Sequence, residues 1–143
     1  MKRTLALVLA GGEGKRLLTL TKRRAKPVVL IGGQYRIIDF VLSNIVNSDI
    51  YDTGILCQYE PDSLLKHLGF AWHMDRSFVR IDMLFPHKAT DRYMSPADAV
   101  LKRMDYILDK NPDYVLVVPG DYVSIIDYKK IIAFHEEKRA GLT

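Results

Sequence analysis

A single cysteine, Cys57, leaves this 143-residue chain without an internal disulfide and without a second thiol to complete a metal-binding pair. That usage fits a reducing, intracellular setting, and burial is the expected fate of the Cys57 thiol. No apolar run approaches the ~20 residues that span a bilayer, so no membrane partner is expected. Met1-Lys2-Arg3 followed by Thr4 to Ala10 imitates a secretory start, but charge returns at Glu13, Lys15 and Arg16 directly after Gly11-Gly12, which argues against a signal peptide. Repeats, low-complexity tracts and linkers are also missing. The expectation is a cytoplasmic protein.

What is present belongs to an ordinary globular domain: 48% hydrophobic and 27% charged residues, in a length that supports one core and not two large ones. Lys plus Arg outnumber Asp plus Glu by 21 to 17. The basic residues gather in one stretch, Lys15, Arg16, Lys22, Arg23, Arg24 and Lys26, and the phosphates of a small ligand suffice to explain them. No basic-aromatic module of a nucleic-acid-binding type accompanies them, so no nucleic-acid partner is expected.

Leu5 to Ala10 is a short apolar run closed by glycines, the pattern of a strand buried on both faces of a parallel sheet. Pro27 to Ile31 is a second apolar run, either a short strand or an extended crossing segment. From Arg36 onward Ile37, Ile38, Val41, Leu42, Ile45 and Val46 recur at helical spacing. Thr53 to Cys57 and Tyr114 to Val118 read as strands, and Pro61 to Leu68 as a helix opened by proline. Gly69 to Tyr93 reads as a connecting loop holding one strand near Phe78 to Phe85. Ser95 caps a helix with Pro96 in its first turn, continued by Ala99 to Asp109 with Val100, Met104, Ile107 and Leu108 inward. Tyr128 to Lys138 forms the closing helix. Tyr35, Phe40, Tyr106 and Phe134 are expected in the core, and His67 and His135 in structural or surface roles.

Alternating strands and helices give an α/β fold with a mainly parallel sheet flanked by helices. Ligands in such sheets bind outside the carboxyl ends of strands, and two strands here end in polar punctuation, Gly11-Gly12-Glu13-Gly14-Lys15-Arg16 and Gly120-Asp121. The glycines let backbone N–H groups turn toward an anion, and Lys15 and Arg16 add full charge. A glycine turn that only reverses the chain accounts for the same residues. The dinucleotide fingerprint would need a glycine at Leu17, and the phosphate loop of nucleotide hydrolases would need Gly-Lys-Ser/Thr, so neither motif is met. Asp121 at a strand end suits Mg2+ bridging phosphates, or a simple cap.

Leu9-Ala10-Gly11-Gly12-Glu13-Gly14-Lys15-Arg16-Leu17, Arg24-Ala25-Lys26-Pro27 and Gly32-Gly33-Gln34-Tyr35-Arg36-Ile37-Ile38-Asp39-Phe40 together resemble the start of glucose-1-phosphate adenylyltransferases, also called ADP-glucose pyrophosphorylases. Leu42-Ser43-Asn44, Asn47-Ser48, Gln58-Tyr59, Ser63-Leu64, His67-Leu68, Ala97-Asp98-Ala99-Val100 and Gly120-Asp121 continue the resemblance in order over nearly the whole chain. It implies a Rossmann-like, glycosyltransferase-A-like nucleotidyltransferase fold, incomplete at the C-terminus. Residues 1–143 would form the N-terminal part of the catalytic domain, without the family's sugar-binding half and left-handed β-helix.

The implied reaction transfers AMP from ATP to glucose 1-phosphate, making ADP-glucose and pyrophosphate for glycogen or starch-like storage. Arg16, Lys26 and Asp121 would be the catalytic residues, with Asp121 holding the Mg2+ cofactor. Leu9, Ala10, Gly11, Gly12, Gly14, Lys15, Arg16, Gln58, Ser95, Ala97, Asp98 and Gly120 would contact the nucleotide, Gln58 reading adenine. Arg24 and Lys26 would also serve a sugar-phosphate effector, in a homo- or hetero-oligomer. Departures are visible: Ser95-Pro96 replaces the family's Gly-Thr, Tyr122 its histidine after Gly-Asp, and Gln34 a common basic residue. Proline removes a hydroxyl and an N–H at that point. The alternative is a noncatalytic regulatory paralogue or fragment that binds nucleotide or a catalytic partner without turnover.

Overall fold

The computed structural model describes residues 2–72, 79–88 and 91–143. The apolar runs form a four-stranded parallel sheet of β1 (Thr4–Leu9), β4 (Asp52–Leu56), β5 (Arg80–Leu84) and β6 (Tyr114–Pro119), in the order β5-β4-β1-β6. β1 is central, pairing Leu5 with Asp52 on one side and Val115 on the other. Its Leu5, Ala6, Leu7 and Val8 are buried, which explains why this strand reads as an unbroken apolar run rather than an alternating one.

Side chains alternate between two cores. Ala6, Val8 and Ala10 meet Ile38, Val41, Leu42 and Ile45 of α1 (Ile37–Asn47) and Leu64 and Leu68 of α2 (Pro61–Ala71). Tyr128, which opens α5 (Tyr128–Lys138), closes the same layer. On the opposite face Leu5 and Leu7 pack with Leu56, Leu84, Tyr93, Ala99 and Ile107, the last two from α3 (Pro96–Leu101) and α4 (Met104–Lys110). The chain therefore winds outward from β1 through β4 to β5 and returns to β6 beside β1. The reversal falls between β1 and β6, the place where open α/β sheets leave a crevice.

Pro27 to Ile31 resolves into a 3-10 turn over Lys26–Val28 and a two-residue strand β2 (Leu30–Ile31), paired antiparallel with β3 (Tyr35–Arg36). Gly32 and Gly33 supply the positive φ angles of 60° and 78° that this hairpin requires. The stretch read as a connecting loop with one strand near Phe78 to Phe85 carries that strand as β5, and it completes the sheet. Residues 73–78 and 89–90 of that stretch, and Met1 of the signal-like start, lie outside the described residues.

Three expectations are corrected. The helix predicted from Ala99 to Asp109 breaks at Lys102 and Arg103, where the backbone N–H of Arg103 bonds three residues back to Val100. α4 begins with a new phase that buries Ile107 but leaves Met104 partly exposed and Leu108 69% exposed. Tyr35 and Phe134 are exposed rather than core. Tyr35 lies on the hairpin, edge-on to Phe40 at 6.0 Å, and Phe134 lies on the outer face of α5.

Candidate nucleotide site

The carboxyl ends of β1 and β6 are fastened together by the Gly120 N–H, which donates to the Leu9 carbonyl at 2.9 Å. A Cβ at Gly120 would stand 3.0 Å from that oxygen and from Val8 Cγ1, so the close approach depends on glycine. Beyond β1, Ala10 donates to Leu56 at 2.8 Å and extends the ladder before the chain leaves the sheet. Gly11 and Gly12 then border a cavity of about 320 Å3, with Asp121 and Pro119 from the end of β6. Leu9, Leu56 and Ala99 form its apolar floor, while Tyr93, Met94, Ser95 and Pro96 form the wall, and Gln58 also lines it. That volume lies at the lower end of small-ligand sites, and an apolar body with a few polar groups is their usual make-up.

The glycine loop continues into 3-10 turns over Lys15–Thr21. Gly14 sits at φ 63°, and a Cβ there would come within 2.9 Å of Thr21 Cγ2 and 3.1 Å of Lys26 Cβ. The Thr21 hydroxyl donates back to the Gly14 carbonyl at 2.9 Å, tying the loop to the basic segment. Ser63 of α2 accepts from the Ala25 N–H at 2.9 Å, which anchors that segment to the helix layer. The outcome is that Lys26 Nζ reaches Asp121 Oδ2 at 2.6 Å.

Gln58 occupies the predicted place with a different set of partners. Its Oε1 accepts from the Tyr93 N–H at 2.7 Å and its Nε2 donates to the Tyr93 carbonyl at 3.1 Å. Both ends of the amide therefore hold the cavity wall. Ser95 Oγ accepts from the Asp98 N–H at 3.1 Å, and Asp98 Oδ2 accepts from the Met94 N–H at 2.8 Å, a reciprocal cap of α3. Glu13 pairs with Lys15 at 2.9 Å and faces Arg92 at 3.7 Å, linking the glycine loop to the wall. The Lys15 hydrogen bond holds the Glu13 carboxyl below its usual range.

Of the residues singled out from sequence, Leu9, Gly11, Gly12, Gln58, Ser95 and Asp121 line the cavity, with Lys26 on Asp121. Ala10, Gly14, Asp98 and Gly120 shape it from behind. Lys15, Arg16, Arg24 and Ala97 are exposed outside its lining. Tyr122, which stands where a histidine was expected, turns away and hydrogen-bonds Tyr128 in the helix layer. Sequence reading missed Tyr93 and Met94 as wall residues, because nothing in the pattern of that stretch marks them. Among the described residues no three His, Cys, Asp or Glu side chains gather to hold a metal, so Asp121 offers a lone carboxylate. No helix among the described residues is long and apolar enough to cross a membrane.

A family model described as nucleotidyl transferase matches residues 5–143. The chain is 46% identical to a glucose-1-phosphate adenylyltransferase of Clostridium novyi, covering 99% of this chain and 38% of the relative. It is 48% identical to a protein of the same name from Hydrogenovibrio crunogenus, with 99% and 35% covered, and 43% identical to another from Thermosipho africanus, with 100% and 36% covered. The chain thus spans little more than a third of the length of these relatives. Among solved structures, a Bacillus anthracis protein assigned as a glucose-1-phosphate thymidylyltransferase, in complex with sucrose, superposes with a TM-score of 0.78 at 22% identity. That match covers 96% of this chain and 52% of that one, and carries the fold alone.

Proposed function

The chain belongs to the nucleotidyl transferase family, and from that membership we propose that it carries the ATP-binding part of an enzyme that transfers AMP to glucose 1-phosphate, giving ADP-glucose and pyrophosphate. The observation that supports this most directly is the meeting of the glycine loop and Asp121 at one cavity, with Lys26 on the carboxylate. A phosphate chain carrying a divalent cation needs a cationic cradle and a hard oxygen donor side by side, and this is such a pair.

In this reading the sugar phosphate oxygen attacks the α-phosphorus in line and no covalent enzyme intermediate forms. The work of the chain is then positioning and charge stabilisation. Gly11, Gly12 and Gly14 turn backbone N–H groups to the triphosphate, with Lys15 and Arg16 closing over it from the exposed side. Lys26 exchanges its carboxylate partner for a phosphate oxygen. The nucleoside lies between the apolar floor and the wall over Tyr93 to Ser95, with Ala97 and Asp98 behind.

Asp121 fits Mg2+. Its carboxylate already faces a cation, the Lys26 ammonium, and the ligands that a lone carboxylate cannot supply are those that phosphates and water provide. Held by Asp121, the ion would supply neutralisation of the charge that develops on the phosphates. We place the protein in the cytoplasm, in an oligomer, with exposed Arg24 and half-buried Lys26 serving a sugar-phosphate effector. Ser95-Pro96 favours a second reading, nucleotide binding without turnover, since the Ser95 hydroxyl is engaged in the cap and Pro96 offers no N–H.

Calorimetric titration with ATP, with and without Mg2+, tests the site. Binding that Mg2+ strengthens and that Arg16→Ala and Asp121→Ala weaken is expected. A folded chain that binds no ATP under either condition refutes it. Glucose 1-phosphate added to the ATP-loaded chain then separates turnover from binding.

A further inference from the structure

The wall of the cavity is a loop and one short helix, with little apolar packing of its own. Ser95 and Met94 are exposed, Met94 at 83%, while Tyr93 and Ala99 are buried in the core beneath and Val100 packs against it. Its shape therefore depends on polar fastenings, and three of them converge on Lys102. This residue sits at the break between α3 and α4. Its ammonium donates to the Arg92 carbonyl at 2.7 Å, pairs with Asp91 Oδ1 at 2.8 Å and with Asp98 Oδ2 at 3.2 Å. An ammonium has three donors, and each finds an oxygen.

The three oxygens come from both ends of the wall. Asp91 and Arg92 lead into Tyr93, while Asp98 holds the Met94 N–H and the start of α3. Hydrogen bonding to Asp91 raises the Lys102 pKa, and the Met94 N–H leads the causes that lower that of Asp98, so these groups stay charged through neutral pH. Without the ammonium, two carboxylates would face each other across the wall and the Arg92 carbonyl would lose its donor. Exposed ion pairs taken singly contribute little, but one cation bridging two carboxylates and a backbone carbonyl fixes a loop in a single geometry.

Resting on the reading of this cavity as a nucleotide site, we propose that Lys102 is a positioning residue that sets the segment from Asp91 to Asp98 at the spacing the nucleoside needs. It touches no ligand. It acts through Tyr93, Met94 and Ser95, which line the cavity, while the glycine loop, Lys26 and Asp121 keep the Thr21–Gly14 and Lys26–Asp121 fastenings and touch the wall through the exposed Glu13–Arg92 pair at 3.7 Å. Loss of Lys102 thus weakens recognition of the nucleoside and spares recognition of the phosphates.

Calorimetry of the full chain with ATP, adenosine and inorganic tripolyphosphate separates these effects. Lys102→Met, which keeps the apolar stem, is expected to weaken ATP and adenosine on the order of tenfold while tripolyphosphate changes by less than about twofold. Lys102→Arg, whose guanidinium can span the same oxygens, restores most of the loss. Lys102→Gln keeps two donors without charge and gives an intermediate loss; it carries the comparison if circular dichroism shows that the methionine variant is unfolded. Unchanged adenosine binding overturns the proposal, as does an equal loss for tripolyphosphate, which marks general collapse. A wild-type chain that binds none of the three ligands refutes the site itself, a result distinct from either.

Discussion

Lys26 Nζ and Asp121 Oδ2 stand 2.6 Å apart, joining the basic segment after the glycine loop to the end of β6. The two side chains keep 31% and 41% of their surface in water, so the pair adds less than about 1 kcal/mol to stability. Its consequence is placement: a cation and a carboxylate are held at one cavity mouth, each available to a ligand that carries both charges.

The two halves of that pair predict different losses. On the proposed reading Lys26 meets a phosphate, so Lys26→Ala should weaken ATP with or without Mg2+, by about tenfold. Asp121→Ala abolishes only the increment that Mg2+ adds. Titrations at matched ionic strength read both effects, and thermal midpoints of the two variants should stay near that of the parent chain. A Mg2+ increment that survives in Asp121→Ala removes this carboxylate from the metal role.

Asp39 predicts an acid-sensitive stability. It lies at the third position of α1, where its Oδ2 accepts from the Arg36 N–H at 2.7 Å and its Oδ1 from His67 Nε2 at 2.7 Å and Trp72 Nε1 at 2.9 Å. Burial opposes the charged form, but hydrogen bonds from His67, Trp72 and Arg36 outweigh it and hold the carboxyl below its ordinary range. A lowered folded value means stability present above the unfolded value near ~3.9 and lost as pH falls through the folded one. Asp39→Asn should therefore cost about 1–3 kcal/mol at pH 7 in urea unfolding, with the deficit shrinking below about pH 4. A deficit that is constant with pH would sink this account.

Gly14→Ala tests the loop at the backbone. The residue sits at φ 63°, and the new methyl would meet Thr21 Cγ2 at 2.9 Å and Lys26 Cβ at 3.1 Å. Strain of about 1–3 kcal/mol follows, together with displacement of Lys26 from Asp121. The expected result is a lowered thermal midpoint with weakened ATP binding, whereas Gly12→Ala, which has open space around it and no positive φ, should leave stability unchanged.

Most of the sheet was legible because β1, β4 and β6 are short apolar runs, whereas β5 carries no clear alternation. β1 is an unbroken apolar run since it is buried on both faces, and the two strand ends that border the cavity announce themselves by glycine and charge. The wall was not legible. Tyr93 and Met94 are held by Gln58 and Asp98, and partners so far apart as Gln58 and Tyr93 leave no periodic trace in either segment. The break at Lys102 escaped for the same reason: the Lys102 ammonium gathers oxygens of Asp91, Arg92 and Asp98, and two of those lie outside the helix. Tyr35 and Phe134 misled because aromatic content alone does not say which face of an element is covered.

Cys57 offers a probe of the end of β4, in the core on the face of the sheet away from the cavity floor. It follows β4, is fully buried, and precedes Gln58, so any labelling of its thiol reports opening of the segment that holds the wall. Burial pushes its pKa up to about 11. At pH 8 the thiolate is then about a thousandth of the population, against about a tenth or more for an ordinary thiol. The folded chain should resist Ellman's reagent for far longer than the urea-unfolded chain, which should react in full within minutes. ATP should slow the residual reaction further, since a ligand seated between Gln58 and the floor disfavours opening in proportion to its occupancy. Rapid labelling of the native chain, indifferent to ATP, would mean that the end of β4 opens independently of the cavity and that Gln58 does not fasten the wall.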